Sequence, residues 1–268
     1  MTTTQKVIKY VALAFAIFLT VSIISGILSA VGLIGNVIDG EDAVMDEMKL
    51  YEVSENITSI DISINAADLV IREGEVFSVE SNLKKLTVKE RNGVLSVKES
   101  KSRGVSYNGA ALVITLPKGT VLDKAEIESG AGRFSADRLA AKTVDLGLGA
   151  GAVEIDLLEA SERSEIDGGA GKITVSDGSI NALDLDMGVG QLELNVALTG
   201  NCDLDLGVGK TVLNLLGGRD DYSVRVEKGL GSVKIDGKDV SDGEVVGNGA
   251  NRINVEGGVG SVDISYKE

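Results

Sequence analysis

Beyond residue 50 the chain alternates apolar and polar positions in short runs. SIDISI (59–64), KLTVKE (85–90), VLSVKE (94–99) and ALVITL (111–116) all show it. A period of two predicts strands with one face turned inward. Asn92-Gly93 separates two such runs and predicts a tight hairpin. Pro117, the sole proline, stands at a strand end, where its missing N–H does no harm. No window in this region shows a 3.6-residue period, and glycine costs about 1 kcal/mol in a helix interior.

After Asp123 the pattern becomes a repeat. Aligned segments read IESGAGRFS, LGLGAGAVEI, IDGGAGKITV, LDMGVGQLEL, LDLGVGKTVL, VEKGLGSVKI and VEGGVGSVDI. Their GxG pairs are Gly130/Gly132, Gly149/Gly151, Gly169/Gly171, Gly188/Gly190, Gly207/Gly209, Gly229/Gly231 and Gly258/Gly260. First glycines are spaced 19, 20, 19, 19, 22 and 29 apart. A period near 20 is the signature of a solenoid. The residue three before each pair is aliphatic (Ile127, Leu146, Ile166, Leu185, Leu204, Val226, Val255). Two after it stand Phe134, Val153, Ile173, Leu192, Thr211, Val233 and Val262. These columns predict strand, GxG corner, strand and return loop in each coil, with inward ladders and coils about 4.8 Å apart. The expectation is an all-β, right-handed parallel β-helix-like solenoid in a single stack, about 19–20 residues per coil. IDISINAADLVI (60–71) is a weaker copy, with Asn65 and Ala67 in the glycine positions. The spacings of 22 and 29 suggest loops inserted around Asp220 and Ser241–Gly249.

One segment departs from this picture. Tyr10 to Ile38 is 29 residues without a charge, longer than the roughly 20 a membrane-spanning helix needs. Lys6 and Lys9 precede it and acids follow, so the positive-inside bias puts the N-terminus in the cytoplasm. A cleaved signal peptide is the rival, but the run is too long and ILSA ending at Ala30 is a poor cleavage site. The expected plan is a cytoplasmic N-terminus (1–9), one transmembrane helix (10–38), an acidic stalk (39–49) and an extracytoplasmic β-solenoid (50–268). The expected location is the cell membrane, single-pass.

Composition narrows the chemistry. Lys and Arg number 26, two of them before the anchor, against 41 acids, leaving a net of −17 beyond it. That argues against nucleic acid or anionic lipid as a partner. Histidine is absent, which removes the commonest general base and metal ligand. The single cysteine, Cys202, permits no intrachain disulfide and falls in an inward column, as a small buried hydrophobe.

Four candidate sites arise. GVGKT (207–211) resembles a phosphate loop, but Leu204 stands where that loop needs glycine, and sister corners replace Lys210 with Arg133, Ala152, Lys172, Gln191, Ser232 and Ser261. GGAGKITV and GGVGSVDI lack the aspartate and nine-residue period of a calcium nonapeptide. Acids form two outward columns: Glu126, Asp145, Glu165, Asp184 and Asp203 four before the first glycine, and Glu128, Asp186, Asp205 and Glu227 two before it. Stacked like charges repel, and Ca²⁺ would relieve them; the other reading is a solvated face that blocks strand pairing with other chains. Asp145, Glu165, Asp184, Asp203, Asp186 and Asp205 are thus the calcium candidates. Asp184 and Asp203 would also sit at a retaining glycosidase's carboxylate separation, but every coil offers the same pair. No cofactor and no catalytic residue is expected.

LYEVSENITSIDISINAADLVI, LVITLPKGTVLDKAEIESGAG and the xIxxGxGxVxI repeats resemble the bacterial DUF4097 family. The likeness covers roughly residues 50–268. It implies an all-β solenoid-like domain, commonly anchored in Gram-positive membranes by one N-terminal helix, with a candidate-adhesin label inferred from shape. It carries over no catalytic residue. The resulting expectation is a non-enzymatic adhesin-like binding or envelope structural protein, with a protein, cell-wall or host polymer as ligand. The alternatives are an accessory component of envelope-stress signalling acting through a membrane partner, and a β-helix polysaccharide-active enzyme.

Overall fold

In the computed structural model, which describes residues 45–100 and 109–267, strands account for almost every element and there is no α-helix among the described residues. The predicted transmembrane segment and its cytoplasmic flank lie outside the described residues. Within them, no helix is long and apolar enough to cross a membrane.

Chain order runs β1 (Met45–Tyr51), β2 (Ser59–Ala66), β3 (Asp68–Gly74), β4 (Ser78–Leu83), β5 (Leu86–Arg91), β6 (Val94–Glu99) and β7 (Ala111–Pro117). It continues with β8 (Leu122–Asn181), β9 (Leu183–Thr199), β10 (Asn201–Leu216), a 3-10 turn at Arg219–Asp221, β11 (Tyr222–Glu227), β12 (Leu230–Ile235), β13 (Lys238–Asp239), β14 (Val245–Gly247) and β15 (Asn251–Lys267). β1 includes residues 45–49, read above as stalk, because they pair antiparallel with β4.

Period-two alternation does what it predicts. Both aliphatic columns are buried from end to end, Thr211 included. Asn92 and Gly93 have φ of 51° and 78° and join β5 to β6 in an antiparallel hairpin. Long strands carry the GxG corners: β8 holds three, and β9, β10 and β15 one each. Successive coils are parallel and in register, Gly171 beside Gly190 beside Gly209 beside Gly260.

Gly209 shows why the corners are glycine. Its φ is 150°, and a Cβ there would meet the Gly190 carbonyl oxygen at 1.7 Å. No flexible side chain stands in the way; the clash is with backbone, which cannot yield. The early coil at 59–74 follows the same plan. Asn65 takes the first corner position, under Gly130, and its N–H donates to the Glu99 carboxylate at 2.8 Å.

Stack order differs from chain order at both ends. β2 and β3 lie between β8 on one side and β6 and β7 on the other. β15 lies between β10 on one side and β11 and β12 on the other. A Cβ on Gly258 would meet the Gly207 oxygen at 1.8 Å, and one on Gly229 the Gly257 oxygen at 2.0 Å, the same order read from the corners. Antiparallel strands close each end: β1, β4 and β5 beyond β6 and β7, and β13 and β14 beyond β11 and β12. The loops expected near Asp220 and 241–249 exist, and they let the chain step over one coil and return.

Candidate functional site

The corner with its flanking strands recurs on every coil, so its outer residues form continuous lines along the stack. Four before the first glycine, Glu165, Asp184 and Asp203 are register partners, followed by Asn254 and Arg225. Two before it run Asp167, Asp186, Asp205, Glu256 and Glu227. Neighbours in such a line are separated by the parallel strand spacing, about 4.8 Å. Asp167 and Glu256 were not among the predicted acids, although they occupy the same position before Gly169 and Gly258.

Charge is answered unevenly. Lys98 pairs with Asp61 at 2.9 Å, Lys124 with Glu126 at 2.5 Å and Asp145 at 3.9 Å, and Arg163 with Glu165 at 3.0 Å. Further along, Asn254 donates its amide to Asp203 at 2.7 Å. Among the described residues no cation pairs with Asp167, Asp184, Asp186, Asp205, Glu256 or Glu227. Partial desolvation, and then the carboxylates of Asp205, Asp167 and Asp184, raise the Asp186 pKa above the ordinary aspartate value. The line borders an open groove of about 770 Å³, with Leu148 and Met187 in its floor and Glu128, Asp167, Asp186 and Asp205 along it.

The middle residue of each corner forms a second line, which the sequence reading passed over. In stack order it is Ala131, Ala150, Ala170, Val189, Val208, Val259 and Leu230. Size grows toward the C-terminal end, where Val259 and Leu230 are 38% and 52% exposed. The signal was present in the succession GAG, GVG, GLG.

Other predicted residues fall as follows. Lys210 is exposed and lies between Gln191 and Ser261 in the polar column; Gly207 and Gly209 before it close the coil, so no phosphate cradle forms. Leu204 is buried in its coil. Cys202 is fully buried opposite Ile253, and burial raises its thiol pKa. Asp184 and Asp203 are adjacent and exposed, and Glu165 beside Asp184 is half-buried. Among the described residues no group of three or more acidic or thiol side chains is arranged to hold a metal ion.

A family model for DUF4097, described as Toastrack, matches residues 57–264. No curated protein matches the chain significantly. A candidate adhesin from Bacteroides fragilis is 12% identical, with a TM-score of 0.50 over 81% of this chain and 95% of that one. A candidate cell adhesion protein from Clostridium sporogenes is 16% identical, at 0.40 over 82% and 99%. A candidate adhesin from Parabacteroides distasonis is 12% identical, at 0.36 over 83% and 98%. The Bacteroides likeness supports the fold.

Proposed function

The chain belongs to the DUF4097, or Toastrack, family, and from that premise we propose that it is a non-enzymatic binding scaffold of the bacterial cell surface. The observation that carries this reading is the paired line of acids and apolar residues along one edge of the stack. Asp167, Asp186, Asp205, Glu256 and Glu227 run beside Ala170, Val189, Val208, Val259 and Leu230. An apolar ridge with a charged border suits a macromolecular partner. Chemistry needs one group set apart from its neighbours, and here each acid repeats on the next coil. A right-handed coil fits this reading, since parallel crossovers take that hand.

Topology completes the proposal. The uncharged stretch 10–38 anchors the protein in the cell membrane, with residues 1–9 in the cytoplasm and the solenoid outside. The ligand is then a protein or a cell-wall or host polymer. Protease added to intact cells is expected to cleave the 39–268 region; full protection there would reject the topology. Crosslinking from native membranes tests the function. Capture of a wall or host ligand supports the scaffold reading, and capture of a membrane regulator alone replaces it with an accessory signalling role.

A further inference from the structure

The strand order at the C-terminal end isolates a unit. Among the described residues β11 pairs only with β14 and β15, and β12 only with β13 and β15. In strand pairing, residues 222–247 therefore join the body of the sheet through β15. β15 in turn meets the body along one seam, from Asn201–Arg252 to Leu216–Lys267. Side-chain ties cross the same seam: Asn254 donates its amide to Asp203 at 2.7 Å, the Ser265 hydroxyl donates to Asn214 at 2.7 Å, and the Lys267 ammonium donates to Asn195 on β9 at 3.2 Å. Gly217 N–H donates to the Lys267 carbonyl at 2.8 Å, and the Tyr222 hydroxyl donates to the Leu216 carbonyl at 2.5 Å.

Nothing in the seam is particular to one copy. Leu204 faces Val255, Thr211 faces Val262, Leu213 faces Ile264, and Gly207 and Gly209 lie beneath Gly258 and Gly260. The opposite face of β10 meets β9 in the same manner, Leu204 against Leu185 and Leu213 against Leu194. The link into the unit passes Gly217 and Gly218, and Gly217 sits at φ 116°. It spans two coil spacings, about 9.6 Å. The coil that plays β15's part at the other end is held differently. β2 and β3 are continued on one side by β4 and preceded on the other by β1, and those two strands pair with each other.

We propose that the β10–β15 seam is an exchangeable interface whose second occupant is the Tyr222–Lys267 unit of another copy of this chain. Exchange of an identical element makes the same contacts in both forms, so its cost is concentrated in the hinge. Repeat proteins are prone to such assembly while folding. The inference goes beyond the binding function and does not rest on it.

Asp205 and Glu256 face each other across the seam, and both are exposed. Two full-length chains, one carrying Asp205→Cys and the other Glu256→Cys, are unfolded together, refolded in detergent and treated with a short bifunctional thiol reagent. Cys202 is kept, because it is buried in the folded chain. A single chain with both substitutions reports the unexchanged seam. Exchange predicts a 205–256 crosslink between chains, mapped by mass spectrometry. Its yield rises roughly tenfold for a tenfold rise in refolding concentration while occupancy is low. The same chains mixed after folding give background only. Background at every refolding concentration, with the one-chain control crosslinked, overturns the proposal. So does an interchain yield indifferent to unfolding, which would mark a side-by-side contact.

Discussion

The two ends of the stack are closed by the same manoeuvre carried out in opposite order. At the N-terminal end the chain lays down β2 and β3, builds its cap from β4 to β7, and steps back over them into β8. At the C-terminal end it steps over an empty place, builds the cap from β11 to β14, and fills the place with β15. One penultimate coil is made before its cap and the other after it. At both ends the antiparallel strands leave the parallel stack without an exposed full coil, a form of edge protection. Charge follows a similar division: Asp61, Glu126, Asp145 and Glu165 have cationic partners, and among the described residues Asp184, Asp186, Asp203, Asp205 and Glu256 do not.

Deleting residues 251–267 should have the largest effect. It takes away the strand that joins β11 and β12 to the rest of the sheet, so residues 222–250 become protease-sensitive although none has changed. A loss of several kcal/mol lowers Tm by at least about 10 °C at this size. Deleting residues 45–51 removes one edge strand and should leave the coils resistant. Equal proteolysis in both would show that β15 is no keystone.

Smaller core changes sharpen the contrast. Ile62→Ala and Ile253→Ala each empty a fully buried position in a penultimate coil and should cost about 2–5 kcal/mol. Hydrogen exchange should rise over 222–267 for Ile253→Ala and over 59–117 for Ile62→Ala. A uniform rise in both would mean a single cooperative unit with no separable ends. Tyr222→Phe removes the hydroxyl that bonds the Leu216 carbonyl and leaves that acceptor short. The expected loss is about 1–2 kcal/mol, read by denaturant midpoint.

The acids should give the smallest effect. The raised Asp186 pKa means the folded state binds a proton more readily than the unfolded chain. Its cost is fully present above the folded pKa and fades as pH falls through that value. Asp123 has its pKa lowered, first by the hydrogen bond from Lys142, so its contribution is lost only as pH falls through the depressed value. Mild acid should therefore firm the C-terminal half before it harms the N-terminal half. Asp186→Asn should stabilise at neutral pH by about 0.5 kcal/mol, less in high salt. Destabilisation by that substitution would mean the carboxylate is satisfied.

The coil was legible in the sequence because its constraints are local. Gly209 has no room for a Cβ, Leu204 must face inward, and Asn92-Gly93 fits one kind of turn. The neighbour of each coil was not legible, because in-register parallel pairing is degenerate: Leu204 packs as well beside Val255 as beside Leu185. The long spacings before Gly229 and Gly258 were the only trace of the step-over. β1 was read as stalk because MDEMKLY lacks clean alternation, and its place comes from pairing with β4. The acids were visible as columns, but their lack of partners was not, since it depends on where Lys98, Lys124 and Arg163 fall in the stack.

The repeated corner also makes the molecule a ruler. Both caps are specific, but the coils between Phe134 and Leu198 meet their neighbours through the same carbonyl-over-glycine contact. Duplicating one block of 19 residues, the spacing from Gly188 to Gly207, would add one rung of about 4.8 Å and leave either end as it is. Reach can thus change in fixed increments without redesign of what the ends hold.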